Sequence, residues 1–299
     1  MKKTLFTGSG VAIVTPFAED GVDYQKLGEL IDFHLSNSTD AIIVCGTTGE
    51  ASTMTDGEQI ETIRYTAERV GKRIPVIAGA GSNDTVHAAE LSVESQKAGA
   101  DGLLIVTPYY NKASDAGLVK HYEAIADKVN IPIILYNVPS RTGLNIKPEI
   151  VKVLSGHKKI VGIKQASDNI VQTAQIASLC GDDFDIYSGN DDMIVPALSL
   201  GAKGVISVLA NILPKETHDM VQLYLEGKTD QSRKLQISLL DVVSSLFAEV
   251  NPIPVKAALN LMGFGVGSPR LPLCDISDAA MARLRKSLES YGCKLFVQA

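Results

Sequence analysis

Residues 160–167 read IVGIKQAS, with Ile160, Val161 and Ile163 around a glycine and then a lysine, Lys164. A short continuous apolar run, with no polar alternation, describes a strand buried on both faces, as in a parallel sheet. An ammonium group at its end is out of place. Burying an unpaired charge costs several kcal/mol or forces the group neutral.

The same pattern recurs along the chain. GVAIVTPF (10–17), DAIIVCG (40–46), IPVIAGAG (74–81), DGLLIVTP (101–108), IPIILYNV (131–138), FDIYSGN (184–190) and KGVISVLAN (203–211) are further buried-strand candidates. Helical periods lie between them, including DYQKLGELIDFHL (23–35) and DTVHAAELSVESQKAG (84–99), where Asp84 suits an N-cap. The glycines of KAGADG and SLGAKG suit helix C-caps before the next strand. Eight strands alternating with helices predict a (β/α)8 barrel. An open doubly wound sheet is the competing arrangement, but no GxGxxG follows the first strand. The barrel is assigned to 1–225. The purely helical pattern of 226–299 reads as an extension packed on it, with NPIPVK (251–256) only a turn.

With 299 residues, 45% hydrophobic and 21% charged, the chain can bury a core without staples. A net charge of -6 and the lack of Lys/Arg clusters argue against nucleic acid or an anionic membrane as partner. No run has the length of a signal-peptide core or a membrane span, so a cytoplasmic location is expected. Cys45, Cys180, Cys274 and Cys293 show no CxxC or zinc spacing and read as reduced thiols.

In a barrel, function gathers at the C-terminal ends of the strands. Those ends carry Thr47, Thr48, Tyr109, Tyr110, Tyr136, Arg141, Lys164, Gly189 and Ile206. They hold no HxH and no carboxylate cluster, and the five histidines fall in helices or turns. No catalytic metal is expected. Each residue has an ordinary reading. Lys164 could bend to solvent, Tyr136 could pack, the two threonines could form a turn, and Arg141 could make a surface salt bridge. Each also has a chemical one. Lys164 could be a desolvated amine that attacks a ketone, Tyr136 a proton relay, Thr47 and Thr48 a carboxylate cradle, and Arg141 a carboxylate fork. Their convergence on one face is what the ordinary readings leave unexplained.

GTTGE (46–50), VTPYYN (106–111), YNVPSRTG (136–143), the lysine of GIKQAS (162–167), GVISV (204–208), NPIPVK and PRLPL (269–273) together resemble the pyruvate-dependent class I aldolases, the N-acetylneuraminate lyase family. The resemblance implies a Schiff base between Lys164 and pyruvate and no cofactor. It implies a relay of Tyr136, Thr48 and Tyr110, with Tyr110 serving the neighbouring subunit of a homotetramer built as a dimer of dimers. Thr47 and Thr48 would hold the pyruvate carboxylate, Arg141 the carboxylate of L-aspartate 4-semialdehyde, and Gly189 and Ile206 would line the pocket. The implied reaction is the first committed step of diaminopimelate and lysine biosynthesis. A sibling lyase or aldolase acting on a sugar acid is the alternative, and a non-catalytic keto-acid sensor is the rival from another class. Family members more often carry glutamate where this chain has Gln165, which strand alternation turns away from Lys164.

Lysine-sensitive members bind lysine in a cleft between subunits. The matching positions here are Ala51, Ser52, Asp56, Gln59, Asn83, His87 and Tyr109. Asp56 and Gln59 stand where sensitive members have histidine, and His87 where they have a glutamate for the ligand's ammonium. Weak or absent inhibition is expected, unless Asp56 turns into the cleft.

Overall fold

The computed structural model describes Lys2 and residues 4–296. Eight strands close into a single barrel: β1 (Gly8–Ala12), β2 (Ala41–Val44), β3 (Val76–Gly79), β4 (Gly102–Val106), β5 (Ile133–Asn137), β6 (Ile160–Gln165), β7 (Asp185–Ser188) and β8 (Gly204–Ser207). All neighbouring pairs are parallel, and β8 closes on β1 with Gly204 opposite Gly8.

Around them run α1 (Tyr24–Ser36), α2 (Asp56–Val70), α3 (Thr85–Lys97), α4 (Asp115–Lys128), α5 (Pro148–Leu154), α6 (Ile170–Cys180), α7 (Ile194–Ser199) and α8 (Pro214–Leu225). The chain is therefore a (β/α)8 barrel. Their starts follow local chemistry. Asp84 accepts from Val86 N and His87 N, and Thr55 forms a capping box with Glu58. Gly99 and Gly201 take left-handed conformations just after α3 and α7.

Strand residues are mostly apolar because they serve two cores. In β5, Ile134 and Tyr136 point into the barrel with Ile43, Ile77, Leu104 and Ile206, whereas Ile133 and Leu135 pack outward under the helices. Leu27, Leu30 and Ile31 of α1 are completely buried against that outer layer, each contributing about 1.5–3 kcal/mol.

Two sequence expectations need correction. The first strand was expected over 10–17, but β1 ends at Ala12. Val14 N donates to Asn211 Oδ1 at 3.1 Å instead of to a strand, and Pro16 has no N–H to give. NPIPVK is more than a turn, since a helix begins within it. Beyond α8 come α9 (Thr229–Leu246), α10 (Ile253–Leu261) and α11 (Asp278–Tyr291). The prolines of NPIPVK suggest a break, yet a proline in a helix's first turn lacks only an N–H that has no helical partner there.

The C-terminal helices meet the barrel's helices through α9, which lies along α8 and α11. Gln236 of α9 donates to Asp191 O and accepts from Val195 N, tying it to the loop after β7. All four cysteines are unpaired. Among the described residues, no helix is long and apolar enough to cross a membrane.

Candidate active site

Lys164 is the fifth residue of a strand that is buried along its whole length, and only 5% of its surface is exposed. The register sets Tyr136 of β5 beside it on one side and Tyr187 of β7 on the other. Outward-facing Ile163 precedes it, so the alternation turns Lys164 to the barrel axis. Its Nζ lies 4.5 Å from the centre of the Tyr136 ring, a favourable place for an ammonium. Both residues open on a cavity of about 610 Å³ at the C-terminal mouth.

Gln165 points the other way. Its Oε1 accepts from Asn137 Nδ2 at 3.0 Å and its Nε2 donates to Ser167 Oγ at 2.8 Å. Asn145 and Gln172 extend this into a partly buried amide network behind β5 and β6.

Thr48, Arg141 and Gly189 also reach the cavity wall. Thr48 is 2% exposed, and its Oγ1 accepts from Asn251 Nδ2 at 3.0 Å. Arg141 sits on a one-turn helix, Pro139–Thr142, and one guanidinium N–H bonds to Asn251 O at 3.0 Å. At Gly189 a Cβ would come within 2.4 Å of Ala166 Cβ, so the strand end there accepts only glycine without a shift.

Three expected site residues lie elsewhere. Thr47 is half-buried in the turn beside Thr48 and is not part of the wall. Ile206 is fully buried beneath the cavity, in the barrel interior with Tyr136. Tyr110 is 89% exposed, outside its own cavity, on a residue with φ of 70°.

Several wall residues were not anticipated. Asp191 is buried, and its Oδ2 accepts from Val208 N and Leu209 N. Burial pushes its carboxyl up, against those hydrogen bonds and the charge of Lys164. Leu240, Val243 and Phe247 bring α9 into the wall. Asn251 belongs to the segment read as a turn. Only α9 had a sequence signal, its apolar stripe.

The second candidate region lies between α2 and α3. His87 Nε2 is 3.0 Å from Asp56 Oδ1, and His87 Nδ1 is 3.2 Å from Ser82 Oγ. Asp56 is thus engaged by His87. Gln59 turns inward, donating to Ala51 O and Met54 O, and so holds the Ala51–Thr53 turn. Asn83 O accepts from Asn111, Ser52 is exposed, and Tyr109 is 39% exposed nearby in sequence to Tyr110. Among the described residues, no group of three or more His, Cys, Asp or Glu is placed to hold a metal ion.

Residues 5–291 match the model of the dihydrodipicolinate synthetase family. The chain is 57% identical over 292 residues to the 4-hydroxy-tetrahydrodipicolinate synthase of Acetivibrio thermocellus, which spans 98% of this chain and 99% of that protein. It superposes on the crystal structure of dihydrodipicolinate synthase from Aquifex aeolicus with a TM-score of 0.95 at 43% identity, over 97% of this chain and 99% of that one. The corresponding structure from Cyanidioschyzon merolae, with lysine bound, gives 0.95 at 40% identity, over 98% and 100%.

Proposed function

The chain belongs to the dihydrodipicolinate synthetase family, and we propose that Lys164 is the nucleophile of its reaction. The enzyme condenses pyruvate with L-aspartate 4-semialdehyde. The observation that carries this reading is the placement of Lys164, a buried strand-end amine set over the Tyr136 ring and facing a cavity with Arg141 on its rim.

The Lys164 amine adds to the ketone carbon of pyruvate and water leaves, giving an imine. The imine withdraws electrons, so a methyl proton is lost to give an enamine without any metal or organic cofactor. The enamine carbon attacks the aldehyde. The amine of the second substrate then closes the ring on the imine carbon and displaces Lys164. Tyr136 and Thr48 pass the protons, together with Tyr110 of the partner subunit. The exposure of Tyr110 in the single chain supports that last role, because a phenol held out in water has no use on its own subunit. Thr47 and Thr48 hold the pyruvate carboxylate, and Arg141 takes the carboxylate of the semialdehyde through its free N–H groups. Gly189 and Ile206 shape the pocket from the wall and from below.

On this reading the barrel, 1–225, is catalytic and the extension, 226–299, walls its mouth through α9. The enzyme works in the cytoplasm as a homotetramer, a dimer of dimers. The α2–α3 region corresponds to a lysine-binding cleft in which His87 engages Asp56, the carboxylate nearest to a ligand's ammonium group among the matching positions.

Turnover assays with two substrate sets test the assignment. Pyruvate with aspartate semialdehyde should be consumed, and N-acetylneuraminate should not be cleaved. The reverse preference would favour the sugar-acid lyase.

A further inference from the structure

We infer that Lys256 is a positioning residue of the pyruvate site, acting by cancelling the charge of Glu50 at the end of the turn that receives the pyruvate carboxylate. This rests on that turn holding the carboxylate, as proposed above. Glu50 N donates to Thr47 O at 3.1 Å and closes the turn over residues 47–50. Among the described residues, the N–H groups of Thr47, Thr48 and Gly49 have no acceptor in the protein, although Thr48 and Gly49 are buried. Buried N–H groups are nearly always paired, so groups left free here call for an acceptor from a ligand. Successive free N–H groups in a turn suit an anion. Thr48 also lines the cavity onto which Lys164 opens.

The turn ends on a residue that its surroundings hold firmly. Glu50 is 2% exposed, with φ of 57° and ψ of 33°, a left-handed conformation that a residue with a side chain keeps only where its contacts enforce it. Its Oε1 accepts from Lys256 Nζ and its Oε2 from Arg270 N, each at 2.8 Å. Lys256 Nζ also donates to Thr15 O at 3.1 Å, and Thr15 Oγ1 donates to Gly49 O at 2.7 Å. One ammonium therefore grips the turn twice, at Glu50 directly and at Gly49 through Thr15.

The charge matters beyond this grip. A carboxylate two residues after Thr48, shielded from water, repels a second carboxylate in the turn, because charges interact more strongly away from water. Lys256 cancels that repulsion with an ammonium that is itself buried. The Arg270 guanidinium is engaged by Glu58, at 2.6 and 3.0 Å. The pair therefore predicts a sign. Losing Lys256 leaves a negative charge beside bound pyruvate, whereas losing the charge of Glu50 leaves none that repels it. A pair that only held the fold would weaken pyruvate binding from either side.

The test compares Lys256→Met, Glu50→Gln and the double variant with the parent enzyme at pH 8, with melting temperature as a folding control. Two readouts are taken: KM for each substrate, and the pyruvate concentration that half-saturates borohydride trapping without the aldehyde. Lys256→Met should raise both pyruvate values by about tenfold or more, with the KM for the aldehyde within about threefold of the parent. Glu50→Gln keeps an oxygen that accepts from Lys256, and its pyruvate values should stay at or below those of the parent. The double variant should recover most of the loss seen in Lys256→Met. If Lys256→Met does not fold, Glu50→Gln and the double variant still decide, since a tenfold rise in both would refute the charge argument. Pyruvate values that are unchanged in Lys256→Met, raised equally in the two single variants, or unrestored in the double variant would each overturn the inference. Trapping on the parent at saturating pyruvate tests the Lys164 reading separately; without an adduct there, the KM comparison alone decides the role of Lys256.

Discussion

Replacing Lys256 by methionine should destabilise the enzyme far more than a typical lysine substitution. Its side chain and that of Glu50 are each 1% exposed, and their atoms are 2.8 Å apart. The other Glu50 oxygen accepts from Arg270 N, at 2.8 Å. Burial pulls the Lys256 ammonium below the usual lysine range, and Glu50 pulls it back. Lys256→Met keeps the volume and the contact with the Phe17 ring, which the ammonium now approaches to 4.6 Å. It leaves one carboxylate oxygen and the carbonyls of Thr15 and Ser268 without this donor. Breaking a buried pair from one side costs about 3–5 kcal/mol. At about 2–3 °C per kcal/mol for a chain of this size, the melting temperature should fall by about 6–15 °C. Calorimetry at fixed protein concentration measures this, with Glu50→Gln and the double variant alongside. The double variant removes the stranded charge and should melt above Lys256→Met. A Lys256→Met melt within about 2 °C of the parent, with no recovery in the double variant, would refute the argument.

Three other expectations follow from the site and its surroundings. Hybrid tetramers made from inactive Tyr110→Phe and Tyr136→Phe chains should regain activity, because some cavities then receive both hydroxyls; no recovery after verified subunit exchange would remove Tyr110 from the partner's site. Lysine at sub-millimolar concentration should leave turnover unchanged, since the missing charge-assisted contact weakens binding on the order of ten- to a hundredfold; half-inhibition in that range would show that the His87–Asp56 pair opens for the ligand. His34 is fully buried, and burial lowers its pKa to about 3, so the unfolded chain binds a proton there below about pH 6.5 that the folded chain refuses. Stability should therefore fall as pH drops through that window, by up to about 1.4 kcal/mol per pH unit from this residue, and His34→Leu should show a shallower loss between pH 6.5 and 5 in denaturant titrations. Equal slopes would contradict it.

The barrel was legible because its strands face two cores and so read as unbroken apolar runs, and Lys164 was legible because it ends one of them. What the sequence concealed depends on contacts made across the whole chain. Asn251 meets Thr48 from 203 positions away, and between two prolines' worth of punctuation nothing local marks it as more than a turn residue. Lys256 reads as the last residue of a turn, yet its partner Glu50 lies 206 residues earlier. Asp191 follows the strand candidate 184–190 with no local mark of its own, and the fold brings Val208 and Leu209 over its carboxylate. Tyr110 carried no local signal either. Its assignment came from family resemblance, and its exposure on the single chain is consistent with a role on another subunit.

The most direct test of the central claim is borohydride reduction of the enzyme in the presence of pyruvate, followed by peptide mass analysis. One reduced pyruvate should appear on the peptide that contains Lys164. Lys164→Ala should gain none, should melt like the parent, and should lose turnover by well over tenfold. A trapped adduct on another lysine, or an alanine variant that turns over within about tenfold of the parent, would contradict the assignment of Lys164 as the nucleophile.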